Sequence, residues 1–314
     1  DINEKSGYEV VKIAKEDNLF LTVRKYMTNN KNYLILVDEA LAANFGRLVQ
    51  FKSGLSEQQK SIFIVLTNQT PTQYKLQATH KIDKLSLSNV VGIIPGKSLP
   101  NEYVIFSGHY DHLGVNGKRA VNGDSIYNGA NDDAAGTTAM IMLSKYFSVL
   151  ANNERTLIFA AFTAEESGGF GAQYFSKQFD PLQVKAMFNI EMIGTESKWG
   201  KNSAYITGYE KTDMGAILQK NLEGTDFKFY PDPYTDQNLF YRSDNATLAR
   251  LGVPAHTIST SKMDNEPNYH KPSDEFSTLD IANMTQIVKA IAKSAQSIIS
   301  GKDTPTRVDT TQLK

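Results

Sequence analysis

Imidazole and carboxylate side chains are the donors of a hard or borderline divalent-cation site, and this chain groups them tightly in Ser107-Gly108-His109-Tyr110-Asp111-His112-Leu113-Gly114. Four further groups follow in order: Gly129-Ala130-Asn131-Asp132-Asp133-Ala134-Ala135-Gly136, Thr163-Ala164-Glu165-Glu166-Ser167-Gly168-Gly169, Asn189-Ile190-Glu191-Met192-Ile193-Gly194, and Tyr269-His270-Lys271-Pro272-Ser273-Asp274. Cysteine is absent, which excludes disulfides, thiol nucleophiles and thiolate-held zinc. Any metal must therefore rest on His, Asp and Glu.

Taken singly, these motifs say little. A His-x-Asp is usually satisfied surface polarity, and a Glu-Glu pair is more often a solvated helix start than a base beside a ligand. Their force lies in their placement.

Short, mostly apolar runs precede the groups: Tyr103-Val104-Ile105-Phe106-Ser107, Thr156-Leu157-Ile158-Phe159-Ala160-Ala161-Phe162 and Val184-Lys185-Ala186-Met187-Phe188-Asn189-Ile190. Without strict alternation they read as strands covered on both faces. Helices are predicted at 133–150, about 169–179, 212–222, 243–251 and 278–299. Strands alternating with helices predict an α/β fold, a three-layer α/β/α sandwich on a mixed, largely parallel sheet. In such sheets chemistry gathers at the carboxyl ends of strands. Acidic groups crowded along that edge would repel one another unless cations sat among them.

Upstream, residues 8–17 have helical spacing, and Tyr33-Leu34-Ile35-Leu36-Val37 and Ser61-Ile62-Phe63-Ile64-Val65-Leu66 are apolar runs. They predict a small α/β module over 1–75, ending near the turn-rich Asn68-Gln69-Thr70-Pro71, followed by a catalytic domain over 76–300 and a tail over 301–314. The 314 residues suffice for such a core, 40% hydrophobic and 21% charged residues are ordinary for a globular chain, and no repeat or low-complexity block interrupts them. Lys+Arg 33 against Asp+Glu 34 gives a net charge of −1, which offers no footprint for nucleic acid or an acidic membrane surface. No apolar run approaches the roughly 20 residues of a membrane span.

The series resembles the zinc aminopeptidases of peptidase clan MH, relatives of glutaminyl cyclases and glutamate carboxypeptidases, over roughly residues 88–300. The resemblance implies a phosphorylase/hydrolase-like zinc exopeptidase architecture and two Zn2+ ions. One would rest on His109, Asp132 and Glu191, the other on Asp132, Glu166 and His270, with Asp132 bridging. Glu165 would be the general base for a water between the metals. Tyr269 would help a zinc stabilise the oxyanion, and Asp111 would orient the His109 imidazole. Asp133 adjoins the bridging residue, and the Asp132–Asp133 peptide is expected to be cis. Many relatives carry Asp where Glu191 stands here, and Asn245 replaces the His of their Ser-Asp-His. The first 75 residues faintly resemble a protease-associated module. A secreted or periplasmic location with the leader removed is the corresponding expectation.

The expected activity is therefore removal of the amino-terminal residue of a peptide substrate. The alternatives are a glutaminyl cyclase, usually with one zinc, a carboxypeptidase needing a cationic pocket for which Arg242 is the nearby candidate, and a non-catalytic binding module of the same fold. His112 reads as a cleft-lining or structural residue, His80 and His256 as packing or surface residues, and Asp274 as a cap rather than a ligand. Phe240-Tyr241-Arg242-Ser243-Asp244-Asn245 is placed at the border of the substrate pocket, and Trp199, Lys198 and Lys201 on the surface.

Overall fold

The computed structural model describes residues 1–52, 60–79 and 84–314, so His80 lies outside the described residues. Two compact units divide between Leu85 and Ser86, later in the chain than the turn-rich stretch suggests.

In the first unit the elements are β1 (Ile2–Asn3), β2 (Glu9–Ile13), α1 (Leu19–Met27), β3 (Tyr33–Val37), the single turn α2 (Ala42–Phe45), β4 (Ile62–Leu66) and β5 (Lys75–Leu76). β3 is buried at every position and pairs in parallel with β2 on one side and β4 on the other. Residues 8–17 are thus not a helix. Val10, Val11 and Ile13 are β-branched and suit a pleated surface, and pairing with β3 satisfies their backbone. The helix comes next, at α1, where Asn18 accepts from the Leu21 amide as N-cap.

The second unit holds β6 (Val90–Ile94), β7 (Leu99–His109), β8 (Gly114–Val115), β9 (Ile126–Tyr127), α3 (Ala135–Leu150), β10 (Arg155–Phe162), α4 (Phe170–Ser176), β11 (Val184–Ile190), β12 (Ser203–Ile206), α5 (Met214–Asn221), β13 (Lys228–Pro231), α6 (Asn245–Ala249), β14 (Ala255–Ser259), α7 (Ile281–Ser294) and α8 (Gln296–Ile299). Its 7-stranded sheet runs β13-β12-β14-β11-β7-β10-β6. β14, β11, β7 and β10 are mutually parallel, while β6 is antiparallel to β10 and β12 to β14.

Alternation along the central strands builds the two cores. Val104, Phe106, Leu157, Phe159 and Phe188 face α3, α5, α7 and α8, with Phe106 stacked between the rings of Phe147, Phe159 and Phe188. Ile105, Ile158, Phe162 and Met187 face α4 and α6. This is the expected three-layer sandwich, and strands apolar on both faces are what it requires.

The segment after Gly301 packs on this unit. Val308 is buried, and the buried Arg155 donates to the carbonyls of Ile298 and Asp303, to Thr304 Oγ1 and to Glu102. Among the described residues, no helix is long and apolar enough to cross a membrane.

Candidate active site

The sheet register brings the ligand-type residues to one level. Phe162 pairs with His109, so Glu165 and Glu166 leave β10 where β7 ends; Asn189 pairs with Ser107, which puts Glu191 at the same edge. Asp132 lies on the turn that enters α3, and Tyr269 and His270 come from the loop after β14.

Buried carboxylates hold these loops together. Asp133 accepts from the amides of His109, Gly136 and Met192, tying the ends of β7 and β11 to the start of α3. Gly136 lies so close beneath it that a Cβ there would sit 2.4 Å from Asp133 Oδ1 and 2.0 Å from the Ile190 carbonyl oxygen. Asp274 clamps the other side, accepting from the amides of Asn131 and Asp132. It is a cap, as its sequence position suggests, but one that grips the turn carrying Asp132 rather than the following helix. The Asp132–Asp133 peptide is cis. Ala164, Met192 and His270, each in or beside a ligand loop, take left-handed φ of 55°, 53° and 55°. Left-handed backbone at these non-glycine residues persists where the surroundings over-determine it.

Asp111 differs from expectation. The His109 Nδ1 meets the backbone carbonyl of Asp111 at 3.0 Å, and the carboxylate stands at 3.6 Å. That carboxylate instead accepts from the amides of Glu165 and Glu166, fixing the turn that carries them. His-x-Asp spacing reveals a partner for His109 but cannot show that the main chain provides it.

Asp132 presents its two oxygens to different imidazoles: Oδ1 is 3.2 Å from His109 Nε2, and Oδ2 is 3.3 Å from His270 Nε2. Glu166 Oε2 is 3.2 Å from the same His270 nitrogen. His109, Asp132 and Glu191 offer ligand atoms within 4.8 Å of one another, as do His112, Asp132 and Glu166. His109 Nε2 and Glu191 Oε2 are buried without a hydrogen-bond partner. Ligands on ~2.0–2.1 Å bonds in tetrahedral array lie about 3.3 Å apart, the spacing of these pairs. Unpaired donors at that spacing, all nitrogen or oxygen, fit two divalent cations sharing Asp132.

Electrostatics agree with the geometry. Burial, with the charge of Glu191, raises Glu165 to about 9, and burial raises Glu191 to about 7. Against burial, His109 and His270 hold Asp132 well below the carboxylate range. His270, beside Asp132 and Glu166, is raised to about 10. These shifts favour protons where negative charge crowds, and a divalent cation held there would displace them.

Tyr269 stacks on His270 with ring centroids 3.9 Å apart, and burial raises its hydroxyl to about 12. Beside Glu191 and Tyr269 a cavity is lined by Met192, Tyr205, Leu239, Arg242 and Met263. Of the suggested pocket border, Arg242 and Ser243 line this cavity; Asn245 lies beneath it, accepting from Thr257 and donating to the carbonyls of Phe240 and Ala255. Asp244 is buried with neither oxygen hydrogen-bonded, and burial raises it to about 8. Sequence reasoning placed Asp244 only within that border stretch. His256 is buried and bonded to Thr207 and Thr212, a packing residue. Trp199 stacks on Tyr230, Lys198 lies over the Tyr234 ring and Lys201 pairs with Asp280.

Comparison with known proteins places this arrangement. A protein of Trichophyton verrucosum named as a probable leucine aminopeptidase is 30% identical over 67% of this chain and 57% of its own length. The chain spans little more than half the length of the curated relatives it matches. Among the solved structures that share the fold are BSAP, a zinc aminopeptidase from Bacillus subtilis (17% identity, 94% of this chain and 75% of that one, TM-score 0.56), and the glutaminyl cyclase of Porphyromonas gingivalis (15%, 67% and 77%, TM-score 0.54). Residues 89–295, which carry every ligand-type group described above, match the profile of Peptidase family M28, and the chain belongs to that family.

Proposed function

We propose that this chain is a zinc-dependent aminopeptidase that hydrolyses the amino-terminal peptide bond of a peptide, with two zinc ions held by His109, Asp132, Glu191 and by Asp132, Glu166, His270. The observation that carries the reading is the division of Asp132, one oxygen toward His109 and the other toward His270. The zinc-aminopeptidase neighbours and the family support the choice of metal.

Divalent cations, when bound, supply Lewis acidity that polarises a carbonyl, acidifies water and draws neighbouring carboxyl pKa values down. The protein's own residues do the rest. Glu165, its amide anchored on Asp111, takes the proton of the attacking water on its carboxylate and returns it to the leaving amine. The Tyr269 hydroxyl, kept protonated by burial, donates to the oxygen that gains charge. The cavity beside Glu191 and Tyr269 receives the first side chain of the substrate.

The test is hydrolysis of aminoacyl chromogenic substrates with leucyl, alanyl, lysyl and glutamyl groups by zinc-loaded protein. Glu165→Gln should lower kcat by about 10²–10⁴-fold with unchanged zinc content. No turnover across the panel would remove the reading. Ammonia release from amino-terminal glutamine, with one zinc per chain, would instead identify a cyclase.

A further inference from the structure

His112 is grouped with Asp132 and Glu166 but is not among the ligands assigned above; its side chain is only 8% exposed, its Nε2 has no hydrogen-bond partner, and its Nδ1 stands at ion-pair distance from Glu166. A buried ring nitrogen without a partner costs free energy, so a buried imidazole is kept where its surroundings use it. Its Nδ1 lies 2.8 Å from Glu166 Oε1 and 4.0 Å from Asp132 Oδ2.

These distances separate two roles. The imidazole–carboxylate pairs assigned to shared cations lie 3.2 and 3.3 Å apart, the edge of a tetrahedron of ligands. The His112 contact with Glu166 is shorter, the length of a nitrogen donor against a carboxylate, and its distance to Asp132 is longer than that edge. His112 therefore meets the outer oxygen of Glu166, while the other oxygen faces His270.

Its ring is also held in place. Gly129, at φ 63° on the turn before Asp132, closes against it: a Cβ at 129 would lie 2.7 Å from the imidazole Cγ and 2.9 Å from the His112 Cβ. The same turn that delivers Asp132 thus fixes the group beside Glu166.

We propose that His112 is a positioning residue that holds the Glu166 carboxylate for the second metal, donating from Nδ1 to Oε1 so that Oε2 stays directed at the cation shared with His270. This rests on the two-metal reading above. It gives the two sites different dependence on one side chain: the ion on Asp132, Glu166 and His270 needs His112, and the ion on His109, Asp132 and Glu191 does not.

The experiment compares wild type, H112F, H112N and H112Q by chelator competition with zinc, and by X-ray absorption and visible spectra of the cobalt-substituted proteins. Asparagine places an amide nitrogen near the Nδ1 position, and glutamine carries it one carbon further. Expected is a 10–100-fold weakening of one zinc equivalent in H112F with the other unchanged, and recovery to within about threefold of wild type in H112N but not in H112Q. The number of imidazoles around cobalt should be the same in wild type and H112N. Should H112F fail to fold, the contrast between H112N and H112Q carries the test.

Equal zinc affinities in wild type and in the variants that fold would overturn the proposal, and so would loss of one imidazole from the cobalt shell in H112N, which would make His112 a ligand. If wild type itself binds no zinc tightly, the metal-centre reading fails first and takes the positioning role with it.

Discussion

Asp132 concentrates the chemistry of the site in one side chain, because among the described residues its oxygens alone are placed against both imidazoles assigned as ligands. Asp132→Asn should therefore impair both zinc sites together, whereas His270→Ala should weaken chiefly one; metal analysis after dialysis distinguishes them. A second residue-scale prediction concerns His256, which donates from Nδ1 to the Thr207 carbonyl and meets the Thr212 hydroxyl at Nε2. Burial lowers its pKa from 6.5 to about 4, so the folded state holds the neutral ring. Between those values the unfolded chain binds more protons, so stability is full above the unfolded pKa and declines as pH falls from about 6.5 to 4, by of order 3 kcal/mol. Urea unfolding at pH 7, 5.5 and 4.5 should show a steeper loss in wild type than in His256→Gln; equal slopes would refute the assignment. The ligand types were legible in the sequence because their spacing follows the strand ends. The hydrogen bonds of Asp111, Asp133 and Asp274 were not, since each runs to backbone amides that spacing cannot place.

Loops at this site are held by buried acceptors, and the size of that effect can be compared with an ordinary cap. Asp274 serves two amides, of Asn131 and Asp132, with the carboxylate itself buried. Asp274→Ala leaves both donors without their acceptor and should cost about 2–5 kcal/mol, more than Asp280→Ala at the half-buried N-cap of α7. Denaturant unfolding of the metal-free variants measures the difference, and equal losses would show that the clamp adds nothing. At this scale the sequence told most where burial was two-sided: the apolar runs became β3, β7, β10 and β11, and the periodic stretches became α3 to α7. It misled over residues 8–17, where Val10, Val11 and Ile13 satisfy helical spacing and β-branched preference at once, and only the pairing with β3 decides. The edge strand β6 left a weak signal because it lies exposed at Val90, Val91 and Ile93, beside a single partner, β10.

At the scale of the molecule, the unit Ser86–Lys314 carries the whole candidate site, and its last residues belong to its core. The separate tail expected over 301–314 is instead the partner of Arg155, whose guanidinium bonds Asp303 and Thr304, and of the β11 side, where Arg307 donates to the Val184 carbonyl. Removing residues 302–314 takes away acceptors from a buried charge and uncovers the site of Val308, so it should destabilise by about 3 kcal/mol or more, read as a lower urea midpoint. An unchanged midpoint would show these contacts to be dispensable. Such packing could not be read from a segment with few apolar residues.

Zinc titration of the metal-free chain, followed by calorimetry and elemental analysis, tests the central claim most directly. Two equivalents per chain, with proton release on binding and both equivalents weakened in Asp132→Asn, are the predicted result. A single equivalent, or two that survive the loss of the Asp132 carboxylate, would contradict a centre built around one shared aspartate.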